Sequence, residues 1–378
     1  MNRHERTGQT LAIELPRADR SLELYKLAAP RNFPARMTGK LNRVAFAAAH
    51  VVADPLAEAD PWLDAPIDWD RTIAFREHLW DLGFGVAEAM DTAQRGMGLS
   101  WPDSLELIRR SVAAAEPRNG VVFSGAGTDH LAPEAAKSID DVIRAYEEQI
   151  AAIEKFGGRI IMMASRALAR VGKSADDYAK VYNRILSQVR EPVIIHWLGD
   201  MFDPALARYW GTKDLDAAMK TAVSIINANA KKIDGVKVSL LDKGKEIVMR
   251  RQLADGVLMY TGDDFNYAEL IAGDDKGCSH ALLGIFDAIA PAASAALVSL
   301  AADDRKTFDD ILAPTVPLSR HIFRSPTRFY KAGVVFMAYL NGHQDHFTMI
   351  GGQESARSTL HLVDIFRLAD QAGLLRNP

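Results

Sequence analysis

Gly235-Val236-Lys237-Val238-Ser239 is a short β-branched run with a lysine at its centre. Lys231 and Lys232 lie just upstream, and the polar stretch Asp242-Lys243-Gly244-Lys245 follows. Successive side chains of a strand point to opposite faces, so Val236 and Val238 share one face and Lys237 takes the other. In a barrel, that alternation packs the valines outward on helices and turns the lysine inward. Desolvation there disfavours the ammonium, and a neutral amine can attack a carbonyl to form a Schiff base. The segment also admits a plain reading, a lysine paired with a barrel carboxylate for structural reasons alone.

On both sides of this run the chain alternates between short β-rich segments and stretches of helical period. Arg43 to Phe46 reads as a first strand, followed by an amphipathic helix from Trp69 to Leu82 that stops at Gly83. Phe84 to Met90 reads as the second strand, Gly120 to Ser124 as the third, Arg159 to Ala164 as the fourth and Pro192 to Trp197 as the fifth. Between them lie helices from Ser104 to Ala115, Ala135 to Phe156 and Ala175 to Val189, and Leu215 to Ala230 follows the fifth strand. Gly235 to Leu240 is the sixth strand, Gly256 to Tyr260 the seventh and Ser279 to Phe286 the eighth, with a short helix before each of the last two. Strands alternating with helices imply a parallel sheet. Eight such units in about 250 residues predict a closed (β/α)₈ barrel, spanning residues 42–300. Residues 1–41 are a polar extension with Pro16, Pro30 and Pro34, expected as an arm or lid. Residues 301–378 form a helical appendage, with helices expected over Phe308 to Phe323, Thr327 to Leu340 and Glu354 to Gln371 after one from Ala292 to Ala302.

The bulk numbers exclude several classes. The 378 residues are 48% hydrophobic and 25% charged, which suits a soluble globular chain. A net charge of −4 offers no basic field for nucleic acid. A single cysteine, Cys278, rules out an intrachain disulfide and any multi-cysteine zinc site, and fits a reducing cytoplasmic setting. The charged start lacks a secretory signal, and apolar runs such as Ile285 to Leu300, interrupted by Asp287 and Pro291, are too short to span a bilayer.

Chemistry in such barrels sits at the C-terminal ends of the strands. Those ends carry His50; Glu88, Asp91, Gln94 and Arg95; Thr128 and Asp129; Ser165 and Arg166; and His196. Lys237, then Asp263, Asp264 and Asn266, and finally Asp287 complete the ring. Several of these also suit ordinary loop caps, Asp263-Asp264 after Gly262 above all. His196 follows Ile194 and Ile195, so it is either a core histidine bonded to a carboxylate or a general acid/base. His343-Gln344-Asp345-His346 has metal-compatible spacing but follows Asn341-Gly342 and lacks the glutamate of the zinc-protease motif, which favours a loop. Gly125-Ala126-Gly127 lacks the third glycine of a dinucleotide loop, and Gly96-Met97-Gly98 has no phosphate-binding lysine.

The order of these features resembles the dihydrodipicolinate synthase/N-acetylneuraminate lyase superfamily of class I aldolases, from Asn42 to Pro291 and on through the helical tail. Ile67-Asp68-Trp69-Asp70 resembles the Asp-led start of the first barrel helix, and Met90 to Leu99 stands in place of the family's Gly-Thr-Thr-Gly-Glu loop. Ser124 to Thr128 is similar to its Ala-Gly-x-Gly, and Pro192 to Trp197 to its Pro-Val-x-x-Tyr-Asn strand. Asp234-Gly235-Val236-Lys237 resembles its Val-Gly-Ile-Lys, Thr261 to Asp264 its Ser-Gly-Asp-Asp, and Gly284 to Pro291 the segment after strand eight. The resemblance implies that Lys237 forms the Schiff base, that no cofactor is needed, and that the chain is a homo-oligomer, a dimer or tetramer, acting on a small molecule.

The departures are specific. The family's Thr-Thr pair, which holds the carboxylate of a 2-oxo acid, is Thr92-Ala93 here, so poor handling of pyruvate is expected. No tyrosine occurs in Ala164 to Leu168, where the family has its catalytic one, and the second aromatic of strand five is His196. The leading expectation is a lyase or aldolase with Lys237 as nucleophile and His196 as acid/base, with Arg95 or Arg166 holding an anion and Glu88 or Asp91 orienting hydroxyls. Metal-assisted cleavage or isomerisation through His50, His196, Glu88 and Asp91 is the second reading, and a non-catalytic ligand-binding barrel is the third.

Overall fold

The structure, a computed structural model, describes residues 11–376. Two short strands, β1 (Ala12–Pro16) and β2 (Leu22–Lys26), pair as an antiparallel hairpin. The main body then runs β3 (Ala45–Ala48), α1 (Trp69–Asp81), β4 (Gly85–Glu88), α2 (Trp101–Ala115), β5 (Val122–Ala126), α3 (Ile139–Lys155) and β6 (Arg159–Met162). It continues through α4 (Arg166–Val171), α5 (Ala175–Leu186), β7 (Val193–Leu198), α6 (Leu215–Ala228), β8 (Ile233–Ser239), α7 (Lys243–Arg250), β9 (Leu258–Thr261), α8 (Tyr267–Ala272) and β10 (His280–Leu283). The helices α9 (Ile285–Ala288), α10 (Ala290–Ala301), α11 (Arg305–Leu312), α12 (Thr315–Ile322), α13 (Tyr330–Leu340) and α14 (Thr359–Gln371) complete the chain. Strands β3 to β10 pair in parallel in sequence order, and β10 closes on β3. The fold is the expected (β/α)₈ barrel. No helix among the described residues is long and apolar enough to cross a membrane.

Local chemistry sets the helix starts. Asp68 caps α1 by accepting from the Arg71 amide at 3.0 Å, while Ser138 and Ser174 open α3 and α5 with reciprocal capping boxes. The alternation along each strand then sorts the core into two parts. Outward residues such as Val236, Val238, Ile195 and Val86 pack under the helices. Inward residues Phe46, Phe123, Ile161, Ile194, Tyr260 and Leu282 fill the barrel floor, with Phe46 edge-on to Phe123 at 5.2 Å and to Tyr260 at 5.8 Å. A β-carbon at Gly235 would lie 2.5 Å from the Tyr260 ring, so the glycine makes room for that plug.

Several expected boundaries move. The first and third strands start two residues later than the sequence suggests, at Ala45 and Val122. The stretch 308–323 is two helices, because Ala313-Pro314 interrupts it and proline cannot donate an amide to a continuing helix. The last helix begins at Thr359, after a turn in which Gly351 and Gly352 adopt φ of 66° and 63°. The described part of the N-terminal extension lies against the C-terminal appendage. Its hairpin is fastened to α14 by Tyr25 Oη donating to Asp370 at 2.8 Å and Arg367 pairing with Glu23 at 2.8 Å. The first ten residues of the expected extension, and the last two of the appendage, lie outside the described residues.

Candidate active site

Lys237 sits on β8 with Val236 and Val238 packed outward, so its side chain enters the barrel. Its strand neighbours are His196 on β7 and Tyr260 on β9. A β-carbon at Gly262 would stand 2.8 Å from Lys237 Cε and 2.3 Å from Ser239 Oγ, so only glycine leaves space for the lysine at that point. Lys237 is 8% exposed. Burial pushes its ammonium down from the usual lysine range, and the carboxylates of Asp264 and Asp91 pull it back up. Asp264 is its counterpart: burial raises its carboxyl, the Ile285 amide bonded to it at 2.9 Å lowers it, and Lys237 lowers it as well. Burial therefore drives both partners toward their neutral forms.

His196 is fully buried beside that amine. Its Nε2 lies 3.3 Å from Ser239 Oγ, and its Nδ1 has no partner among the described residues. Burial first, and the neighbouring Lys237 second, hold the imidazole well below its ordinary value, so it is neutral at pH 7. Together with Asp91, Thr128, Leu198 and Arg166 it lines the open space at the mouth, about 80 Å³. A larger cavity of about 400 Å³ lies away from Lys237, between the Pro30–Ala35 segment, α10 and the C-terminal end of α13.

The structure does not bring together all the residues expected at the mouth. Glu88 faces outward and is locked to the buried Arg76 by two 2.9 Å bonds, with Ser111 Oγ a further donor. His50 is fixed by Asp287, whose carboxylate takes both its amide and its Nδ1 at 2.8 Å. Gln94 donates to the carbonyls of Met97 and Ile350, clamping its loop to the C-terminal appendage. All five N–H groups of Arg95 are spent, on Asp129, Gln149 and the carbonyls of Ala89 and Gly125, which leaves none to clamp a substrate. Asp263 and Asn266 bond each other at 2.8 Å and shape a turn. Asp91, Asp264 and Arg166 stay with Lys237 and His196 at the mouth; Arg166 pairs with Asp203 at 2.5 Å.

The ligand set of the metal-assisted reading does not converge, since Glu88 is bonded to Arg76, His50 to Asp287 and His196 to Ser239. The 343–346 loop also scatters its groups. His343 packs on His78 at 4.7 Å, Asp345 pairs with Arg71, and His346 Nδ1 accepts from the Thr348 amide.

Sequence reasoning missed two side chains from the first turn of α13. Tyr330 Oη lies 2.8 Å from Thr92 Oγ1, and both residues are buried. Burial, then Asp91, keep the phenol well above its ordinary value, with Asp264 and Asp287 adding to the effect. Tyr330 therefore keeps its phenolic proton, with its hydroxyl bonded to Thr92. Lys331 follows it, 5% exposed, with Nζ 4.7 Å from the Tyr330 ring centroid. Neither carries a sequence signal, because α13 is separated from the strand ends by more than forty residues of helix and turn.

No curated protein matches the chain. Solved structures of similar fold include dihydrodipicolinate synthase from Aquifex aeolicus, 13% identical over 89% of this chain and 100% of that one, with a TM-score of 0.65. Another is YagE, a prophage protein of the dihydrodipicolinic acid synthase family from E. coli, in complex with pyruvate: 12% identity, 89% and 100% coverage, TM-score 0.68. A third is the Acinetobacter baumannii dihydrodipicolinate synthase complexed with pyruvate: 15% identity, 88% and 99% coverage, TM-score 0.62. At these identities the likeness is one of fold. A family model matches residues 13–378, and the chain belongs to the family described as Protein of unknown function (DUF993).

Proposed function

We propose that the chain is a lyase or aldolase that forms a Schiff base between Lys237 and a small carbonyl compound. The observation that carries the reading is a buried lysine on the inner face of a barrel strand, between His196 and Tyr260 on the neighbouring strands. The lysine Nζ lone pair adds to the carbonyl carbon, and the carbonyl oxygen takes a proton from Tyr330 Oη. One proton of the carbinolamine nitrogen passes to that hydroxyl, which leaves as water and gives the iminium; the iminium then accepts the electron pair of a neighbouring bond as it breaks, or supplies an enamine for the reverse step. His196, neutral and adjacent, accepts and returns the proton at the reacting carbon. Hydrolysis of the iminium restores the amine and the carbonyl, and the proton released returns to the Tyr330 phenolate.

The neighbours of similar fold that hold pyruvate favour a carbonyl substrate of this size. Pyruvate itself is expected to be a poor one, since the Thr92 hydroxyl is engaged by Tyr330 and Ala93 offers none. We also propose a cytoplasmic homo-oligomer, a dimer or tetramer, which sedimentation velocity tests.

The decisive experiment is borohydride trapping with a panel of oxo acids, keto sugars and aldehydes, read by intact mass. Wild type should gain the mass of a reduced adduct at Lys237. Lys237→Ala and Lys237→Arg should gain none, because a guanidinium stays protonated. His196→Ala and Tyr330→Phe should still trap but turn over about 10²–10⁴-fold more slowly. A Lys237→Ala protein with undiminished turnover sinks the Schiff-base reading. Ligand-induced stabilisation without any adduct would favour the non-catalytic barrel.

A further inference from the structure

Lys331 is a buried cation with too few partners. Its one hydrogen bond among the described residues is to the Arg328 carbonyl at 3.0 Å, and it has no ion pair there. Three N–H groups are available on an ammonium, so two stay unspent. Burial depresses its amine to about 8, with Asp91 and Asp203 acting upward and Arg166 and Arg328 downward. Charged groups buried without a partner are costly and are normally paired. Tyr330 ties this amine to the mouth, since the ring under Lys331 is the one whose hydroxyl holds Thr92, next to Asp91. Arg166 approaches from α4. Its Nε is held by Asp203, while Nη1 and Nη2 face the space above Gly96, 3.5 and 3.8 Å from where a β-carbon there would stand.

We propose that Lys331 and Arg166 form an anion-binding subsite, so that the compound taken by Lys237 carries a carboxylate or phosphate on the end away from its carbonyl. The proposal rests on the Schiff-base reading for where the carbonyl lies, but not for the anion site itself. A substrate anion completes the ammonium's unspent donors and meets the open edge of the guanidinium. Arg95 cannot serve, because its donors are consumed, so the discrimination falls to these two groups. The subsite joins the C-terminal appendage to the barrel chemistry, since α13 supplies both the phenol and the second cation.

The test uses paired probes on the full chain. Borohydride trapping rates are compared for dihydroxyacetone phosphate against dihydroxyacetone, and for succinic semialdehyde against butyraldehyde. Wild type should trap the anionic member of at least one pair about tenfold faster or more, the scale of a charge-assisted hydrogen bond. The pair that shows the preference identifies phosphate or carboxylate. Lys331→Met should bring the ratio close to one, Lys331→Arg should retain most of it, and Arg166→Met should reduce it. In parallel, inorganic phosphate and succinate are titrated against thermal midpoint. Wild type should be stabilised by at least one of them and Lys331→Met should not, while its midpoint without ligand stays level or rises, because an unpaired buried charge has been removed. A structural lysine would instead lose stability on this change. Equal trapping of both members of both pairs by wild type overturns the proposal. So does a preference that survives in both Lys331→Met and Arg166→Met. If no probe forms an adduct, the Schiff-base reading fails, and the anion titrations alone decide the subsite. A midpoint rise confined to proteins that keep Lys331 supports it. No rise, or the same rise in Lys331→Met, rejects it.

Discussion

Asp264 and Glu88 are both carboxylates on the barrel strands' C-terminal side, and they do opposite work. Asp264 is buried next to Lys237 and raises the lysine's affinity for its proton. Removing its charge should therefore lower the lysine's proton affinity further. In Asp264→Asn the rising limb of imine trapping against pH should move to lower pH, measured from pH 5 to 9 with any probe that traps on wild type. A limb that stays put or moves up would show that Asp264 does not tune the amine. Glu88 is held by Arg76 with both side chains fully buried. Glu88→Ala strands that guanidinium, and breaking such a pair costs about 3–5 kcal/mol. Urea unfolding should show a loss of that order, largely recovered when Arg76 is also changed to Leu. Trapping at Lys237 by the folded fraction should be unchanged. Strand alternation made Lys237 legible in the sequence, because two valines fix which way the lysine between them points. The same alternation puts Glu88 on the outward face with Val86, two residues before it, and Arg76 on α1 is what it meets there.

At the scale of elements, each strand and nearly every helix of the barrel could be read from period and punctuation, because a parallel strand is a short apolar run bounded by turns. Of the elements that were missed, one answers to a distant partner and another is very short. The β1–β2 hairpin is polar enough to pass for a loop and is held by α14. The helix α4 is only six residues long and follows Ser165, whose hydroxyl caps it by accepting from the Leu168 amide at 2.9 Å. The packing of α7 on the last two strands has a pH signature. Glu246 on α7 is 1% exposed, and burial pushes its carboxyl up to about 8, with the Ser279 hydroxyl at 2.7 Å pulling the other way. A carboxyl with a raised folded value binds its proton more tightly when folded than when unfolded. Its favourable contribution is complete below its ordinary value near 4.5 and is lost as pH rises through about 8. The thermal midpoint should accordingly fall between pH 5 and 8, and Glu246→Gln should flatten that fall. A slope identical in the two proteins would mean that Glu246 is ionised and solvated in the native state.

For the whole molecule, the N-terminal hairpin is fastened to α14, and the C-terminal appendage reaches the mouth through α13. Asp370 on α14 is the fastening. It accepts from Tyr25 Oη at 2.8 Å and from the Ala28 amide at 2.9 Å, and is itself 3% exposed. Beside it, Arg367 pairs with Glu23 across the same contact. The barrel floor, by contrast, is closed by its own aromatic plug and does not depend on this contact. Stability is distributed unevenly through such an architecture, and units with few internal bonds open first. Asp370→Ala removes the acceptor shared by two donors while leaving every strand pair intact. Amide exchange should then quicken in residues 12–28 and along α14, while β3 to β10 keep their wild-type protection. The appendage passes α13 to the mouth, so turnover should fall if this loosening spreads to Tyr330 and Lys331, yet the Lys237 adduct should still form. Faster exchange in the barrel strands would instead mean that the chain ends and the barrel unfold as one cooperative unit, and that the appendage is part of the barrel's own stability rather than a structure laid against it.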